Sequence, residues 1–392
     1  MNNVNAHLTM QCCPTSRWSR SVVRAGGIAA ALSLLGVTPT VASHFVTTTD
    51  LRIACEQSPG HVVVLDHPVK IFDGFAPPAT EHVASGCTID LGPGAKLETE
   101  EISMTFAGRL VVQSAQKAEV KLARSFFAAT AVSFNLTGTG SVIETTLSGI
   151  HATSGSLIMT MGDQSKLIVL ERLLPGPADA LAAVSTIQIH GGDKFTAQLN
   201  EMGITAPQGI GITMDGAEGL LKAEQVFFTA SQGGIVITAS GPKGLLEMSE
   251  SNLRFGDMLA VRLAGGDSLL KLKQTSAGGA SDVPDAPGGV LLEAGSAGAA
   301  NGKIEASEIS VFNVASIRLL ASLSGQQGAL KLAKSIVSAP GDIVFETGAQ
   351  GVTEVKDNSG GSDTRIRVAA GTGGNCVAQP NSFFAPVLQL CP

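Results

Sequence analysis

A chain of 392 residues with 15% charged residues and a net charge of −7 lacks the clustered Lys and Arg that a phosphate backbone demands, which excludes nucleic acid as a partner. Forty-six glycines, 15 Phe, one Trp and no Tyr describe an interior of small and branched aliphatic side chains. Such a composition suits a narrow stack of repeats better than two or three ordinary domains.

Residues 1–42 read as a signal peptide. Arg17, Arg20 and Arg24 form a basic n-region, Ala25 to Val41 carries no charge, and Thr40 and Ala42 supply the small residues of a cleavage site. The apolar run is short and contains Gly26, Gly27, Gly36 and Pro39, whereas a spanning helix needs about 20 apolar residues. The mature chain is therefore expected to have no transmembrane segment and to be secreted, periplasmic or held at the cell surface. Met10 is an alternative start, and Cys12 and Cys13 leave with the signal. Four cysteines then remain, Cys55, Cys87, Cys376 and Cys391. An even count in an exported chain argues for disulfides. Three pairings are open, of which Cys55–Cys87 and Cys376–Cys391 is the local one.

Residues 43–86 are assigned to an N-terminal cap and first coil. Thr49 or Asp50 can N-cap a short helix, Leu51, Ala54 and Cys55 share its face, and Pro59-Gly60 ends it. From 87 to 370 a strand with two inward apolar positions recurs at intervals of about 21 to 30 residues. Examples are Ile89/Leu91, Leu157/Met159, Ile235/Ile237 and Ile366/Val368. A glycine-rich turn follows each, then a second strand ending in two apolar residues separated by four others. Leu97/Ile102, Val142/Leu147, Ile168/Leu173 and Leu221/Val226 are instances. A third short apolar piece closes the repeat. The spacing is too short for βαβ units and steady enough for stacked coils. The expected fold is all-β, a single-stranded right-handed parallel β-helix of about eleven to twelve coils with a short N-terminal capping helix. Residues 371–392 form its C-terminal cap.

The stretch Val46-Thr-Thr-Thr-Asp-Leu-Arg-Ile-Ala-Cys-Glu-Gln-Ser-Pro-Gly-His-Val-Val-Val-Leu65 resembles the entry of pectin-lyase-like β-helix proteins, in which a capping helix leads through a Pro-Gly turn into the first strand. The resemblance implies polysaccharide along the outward face of the first strand of each coil. On that face lie Gln188, Thr213, Thr238, Arg262 and Glu293, which form the candidate binding groove. Two long loops, Leu174 to Ser185 and Ser276 to Gly289, are expected to bracket it, and long loops on a regular scaffold tend to carry function. The family's lyases imply clustered carboxylates with calcium, and its hydrolases imply paired acids; two acids are also the general need of glycoside hydrolysis. Of the family's patterns only His190-Gly191 and Arg365-Ile366-Arg367 are present. His190, with Asp193, Asp215 and Arg262 as neighbours, is the candidate acid–base set. The His and Cys residues show no metal-ligand spacing, so neither a metal nor another cofactor is expected. The reading from sequence is a binding or structural scaffold for a polysaccharide or a surface protein. The alternative is a polysaccharide lyase or glycoside hydrolase acting in that groove.

Overall fold

A computed structural model describes residues 44–72, 80–171, 179–279, 288–295 and 299–391. The proposed signal peptide and residues 174–178 and 280–287 of the two long loops lie outside the described residues. The chain winds as a parallel β-solenoid of about 13 coils, with three strands in each coil. Each strand pairs in parallel with its counterparts one coil before and one coil after. The result is a first sheet of 14 strands, a second of 14 and a third of 13. The stack thus exceeds the twelve first strands read from the sequence. Val62–Leu65 pairs onto Cys87–Leu91 at one end, and Val387–Leu390 onto Arg365–Ala370 at the other.

The inward positions form aliphatic ladders through the whole stack. Ile187, Ile210 and Ile235 lie in register on consecutive first-sheet strands, and all three are buried. Two second-sheet expectations are corrected. Ile143 rather than Val142 points inward, Leu147 is 44% exposed, and Leu167 and Val169 rather than Ile168 fill the core. In both strands apolar residues stand side by side, so alternation alone leaves the parity open and packing decides it. Leu173 lies outside the described residues. Thr145 takes an inward place in the same strand as Ile143, and its buried hydroxyl has no hydrogen-bond partner among the described residues. Thr145→Val is expected to raise stability by about 1 kcal/mol, read as a higher urea midpoint at unchanged slope, because an unsatisfied buried hydroxyl costs about 1–3 kcal/mol. A lower midpoint would mean that the hydroxyl is satisfied.

The N-terminal end is closed by the helix Thr48–Gln57. Its N-cap is Thr47, not Thr49 or Asp50: the Thr47 hydroxyl accepts from the Asp50 N–H while the Asp50 carboxylate accepts from the Thr47 N–H. Leu51 and Cys55 are buried beneath it, and Cys55 is bonded to Cys87 of the first sheet. Arg52 reaches Glu81 at 2.6 Å, and Glu56 accepts the Ala84 N–H, which fastens the helix to the first strand of the third sheet. At the far end Cys376 is bonded to Cys391.

The register brings together residues that are far apart in sequence. On the outward face of the second sheet one row runs Lys70, Glu98, Lys121, Glu144. Ile168 and Gln198 interrupt it. It then resumes as Lys222, Glu247, Lys271, Glu305, Lys331, Glu354. Opposite charges directly across neighbouring strands are favourable and like charges are not, so the row favours one register over a slip by a coil. Lys121 lies 3.1 Å from Glu144, and Lys271 2.9 Å from Glu247.

Hydrogen bonds from Lys70 and Lys356 hold Glu100 and Glu354 below the ordinary carboxylate value, and Thr364 with Arg365 does the same for Asp342. Hydrogen bonds to Glu119 and Glu247 raise Lys121 and Lys271. The carboxylates contribute stability that is present above their unfolded values, about 4.3 for Glu and 3.9 for Asp, and is lost as pH falls through the lower folded values. The lysines contribute stability that is present below about 10.4 and is lost as pH rises through their folded values. Stability should therefore be flat across neutral pH and fall at both extremes, less steeply in high salt. A titration of the unfolding midpoint checks this; a slope near neutrality would contradict it.

Candidate functional site: the polar row of the first sheet

Strand alternation sets the site's geometry. In Thr186–Gly191 the isoleucines Ile187 and Ile189 enter the core, so Gln188 and His190 must point outward. The register places His190 beside Thr160 and Thr213, and continues the row through Thr238 and Arg262 to Glu293. Five of the named candidates therefore share one ladder. Gln188 belongs to the second outward row, next to Gly211, Val236, Ala260 and Leu291. A row of hydroxyl, imidazole and guanidinium groups thus borders a row of small and apolar side chains. Thr238 donates to Thr213 at 3.4 Å, and Arg262 pairs with Glu293 at 3.8 Å. Among the described residues the His190 ring has no hydrogen-bond partner.

The two aspartates lie beyond the strand ends and bond to neighbouring turns. The Asp193 carboxylate accepts the Ala217 N–H of the next coil at 2.6 Å, while its own N–H donates to Asp163 of the coil before. Asp215 accepts from the Ser240 hydroxyl at 3.4 Å. The cause is local: each turn leaves backbone N–H groups unpaired at the corner, and a short carboxylate side chain stacked beneath can accept them. On the His190 row the nearest carboxylates are Asp90 in one direction and Glu293 in the other. Each lies four strands away, about 19 Å at the usual strand spacing, and Glu293 is paired with Arg262. No group of three or more His, Cys, Asp or Glu able to hold a metal ion is found among the described residues.

Residues 174–185 and 276–289, read from sequence as two long loops, each contain a third-sheet strand. In the first range the strand Asp179–Ala183 follows the second-sheet strand Lys166–Leu170, and residues 172–178 lie outside the described residues. In the second range the strand Ser276–Gly279 precedes the first-sheet strand Val290–Ala294, and residues 280–287 lie outside the described residues. The sequence reading ran the first loop straight to Ile187 because Asp179-Ala-Leu-Ala-Ala183 carries little alternation to mark a strand. Sequence also missed a shallow recess of about 120 Å³ on the second sheet, lined by Leu170, Gln198, Asn200, Lys222 and Glu224. It opens where Ile168 and Gln198 interrupt the charged row, and the only available signal was that interruption.

No protein-family model, curated protein or solved structure matches the chain. The fold and these side chains are thus the whole basis for a functional reading. Among the described residues no helix is long and apolar enough to cross a membrane.

Proposed function

We propose that the protein is an exported β-solenoid of the pectin-lyase-like kind that serves as a binding or structural scaffold, with an extended glycan or a surface protein seated along the first-sheet row from Thr160 to Arg262. The observation that carries this reading is the bonding of the candidate acids. Asp193 is committed to the Ala217 amide and Asp215 to Ser240, so both carboxylates hold coils together. Hydrolysis of a glycoside needs two free carboxyl groups facing each other across the bond, about 5 to 10 Å apart. The open His190 ring and the threonine hydroxyls instead offer hydrogen bonds at each coil, beside the apolar strip of Val236 and Leu291. Two disulfides fit an oxidising compartment outside the cytosol.

The test is a panel of polysaccharides offered to the purified chain, with bound and cleaved material measured separately. Binding that is weakened at least tenfold in His190→Ala/Arg262→Ala, with no new chain ends released, is the expected result. Release of reducing or unsaturated ends that vanishes in Asp193→Asn or Asp215→Asn would overturn it and establish the lyase or hydrolase alternative.

A further inference from the structure

The three outward faces differ in chemistry, and the third sheet is the uncharged one. From the strand Ser103–Phe106 to the strand Asn381–Phe384, Arg254 is the only formally charged side chain among the described outward positions of this sheet. The other outward positions are Ser, Thr, Gly and Ala, with Asn252, His151 and large apolar groups at intervals. Phe227, Phe312, Ile336 and Phe384 are 41%, 47%, 56% and 80% exposed.

Two rings of this face pack close to the sheet. Gly278 stands beside Phe312 in the register, and a Cβ there would meet the Phe312 ring at 3.1 Å; at Gly149 it would meet Phe126 at 2.9 Å. Each ring therefore lies down over a neighbouring glycine instead of projecting. A charged rim runs along one side. At the corner shared with the second sheet, the left-handed residues include Arg124, Glu201, Glu250, Glu308 and Lys334, with the uncharged Leu147, Gln225 and Gln274 at levels between them.

We infer that this face is the contact surface for a second copy of the chain. A core depleted of charge, enriched in aromatics and bordered by a polar rim is the composition of a protein interface. Arg254 is no obstacle, because the weakly hydrated guanidinium is the cation that interfaces accept. Twelve strands at about 4.8 Å spacing, each presenting about 13 Å of length, give a face of roughly 700 Å². That is close to the 800 Å² or so that each partner contributes to a stable complex. An isologous contact sets a patch against its own copy, and an uncharged patch does so without self-repulsion. The alternating row of the second sheet would place like charges together in many alignments.

The inference is independent of the ligand proposed for the first sheet. Sedimentation velocity of the purified chain over a wide concentration range tests it. The expected result is a dimer that becomes monomeric in Phe227→Glu/Phe312→Glu, with the far-ultraviolet circular dichroism and the unfolding midpoint of the dilute protein unchanged. Thr213→Glu, on the first sheet, should leave the dimer intact. A wild-type chain that stays monomeric at every concentration would overturn the inference. So would a dimer that survives the double variant, or one that Thr213→Glu disrupts equally. A monomer retained on an uncharged glucan through Phe227 and Phe312 would assign the face to sugar and overturn the second copy as its occupant.

Discussion

Phe228→Ala is expected to lower stability by about 3–5 kcal/mol, while Phe227→Ala should stay within about 0.5 kcal/mol in the dilute monomer. The two residues are neighbours in one strand with identical side chains, so composition and local propensity cancel in the comparison. Phe228 is wholly buried, held in register between Ile204 and Leu253 of the adjoining coils. Its removal leaves a void that neighbouring coils cannot fill without breaking their own ladders, and the cost of a void grows with the volume left unfilled. Phe227 points to solvent from the third sheet, where truncation empties no enclosed space. Urea unfolding of the two variants decides the matter. Equal losses would mean that the strand's facing, and with it the parity of the third sheet, is wrong.

The second large effect is expected at the N-terminal end. Cys55→Ser/Cys87→Ser should cost about 3–4 kcal/mol, because the bond closes a 32-residue separation and so restricts the unfolded chain. The loss should also be local. Each coil contacts chiefly its neighbours, so a stack of this kind can open from one end while the rest persists. Without the bond the helix is held by Leu51 packing, the Arg52–Glu81 pair and the Glu56 link to Ala84. Hydrogen exchange should then show lost protection in Val62–Leu65 and Cys87–Leu91, with Ile235–Ala239 unchanged. A uniform loss along the stack would count against this account.

Much of the architecture was legible because the first strands are unambiguous. Ile-x-Ile and Leu-x-Val pairs between polar neighbours and glycine turns admit one facing, and Ile89, Ile187, Ile317 and Ile366 are all buried. Legibility failed where the signal was degenerate. Val142-Ile143 and Leu167-Ile168-Val169 offer apolar side chains to both faces, and Ala180-Leu-Ala-Ala183 offers small apolar groups to both with little contrast. The strand Val387–Leu390 was folded into the cap because it is exposed throughout, so no burial pattern marked it. The candidate site was only partly readable. Alternation placed His190, Thr213 and Thr238 outward, but the exact offset between coils, which aligns them with Arg262 and Glu293, depends on every intervening turn length. The bonding of Asp193 to Ala217 depends on stacked turns in the same way. The charged row was invisible for this reason too: Lys121 and Glu144 become neighbours only once the register is known.

That row has a consequence at a distance. Charges that change sign at every strand repeat over two strand spacings, about 9.6 Å, and the field of such a grating dies away over about 1.5 Å, far inside the Debye length. Beyond the first layer of water this row is electrically silent, despite its density of ions. An approaching molecule feels the charges outside this row, and meets the row's own pattern only at contact.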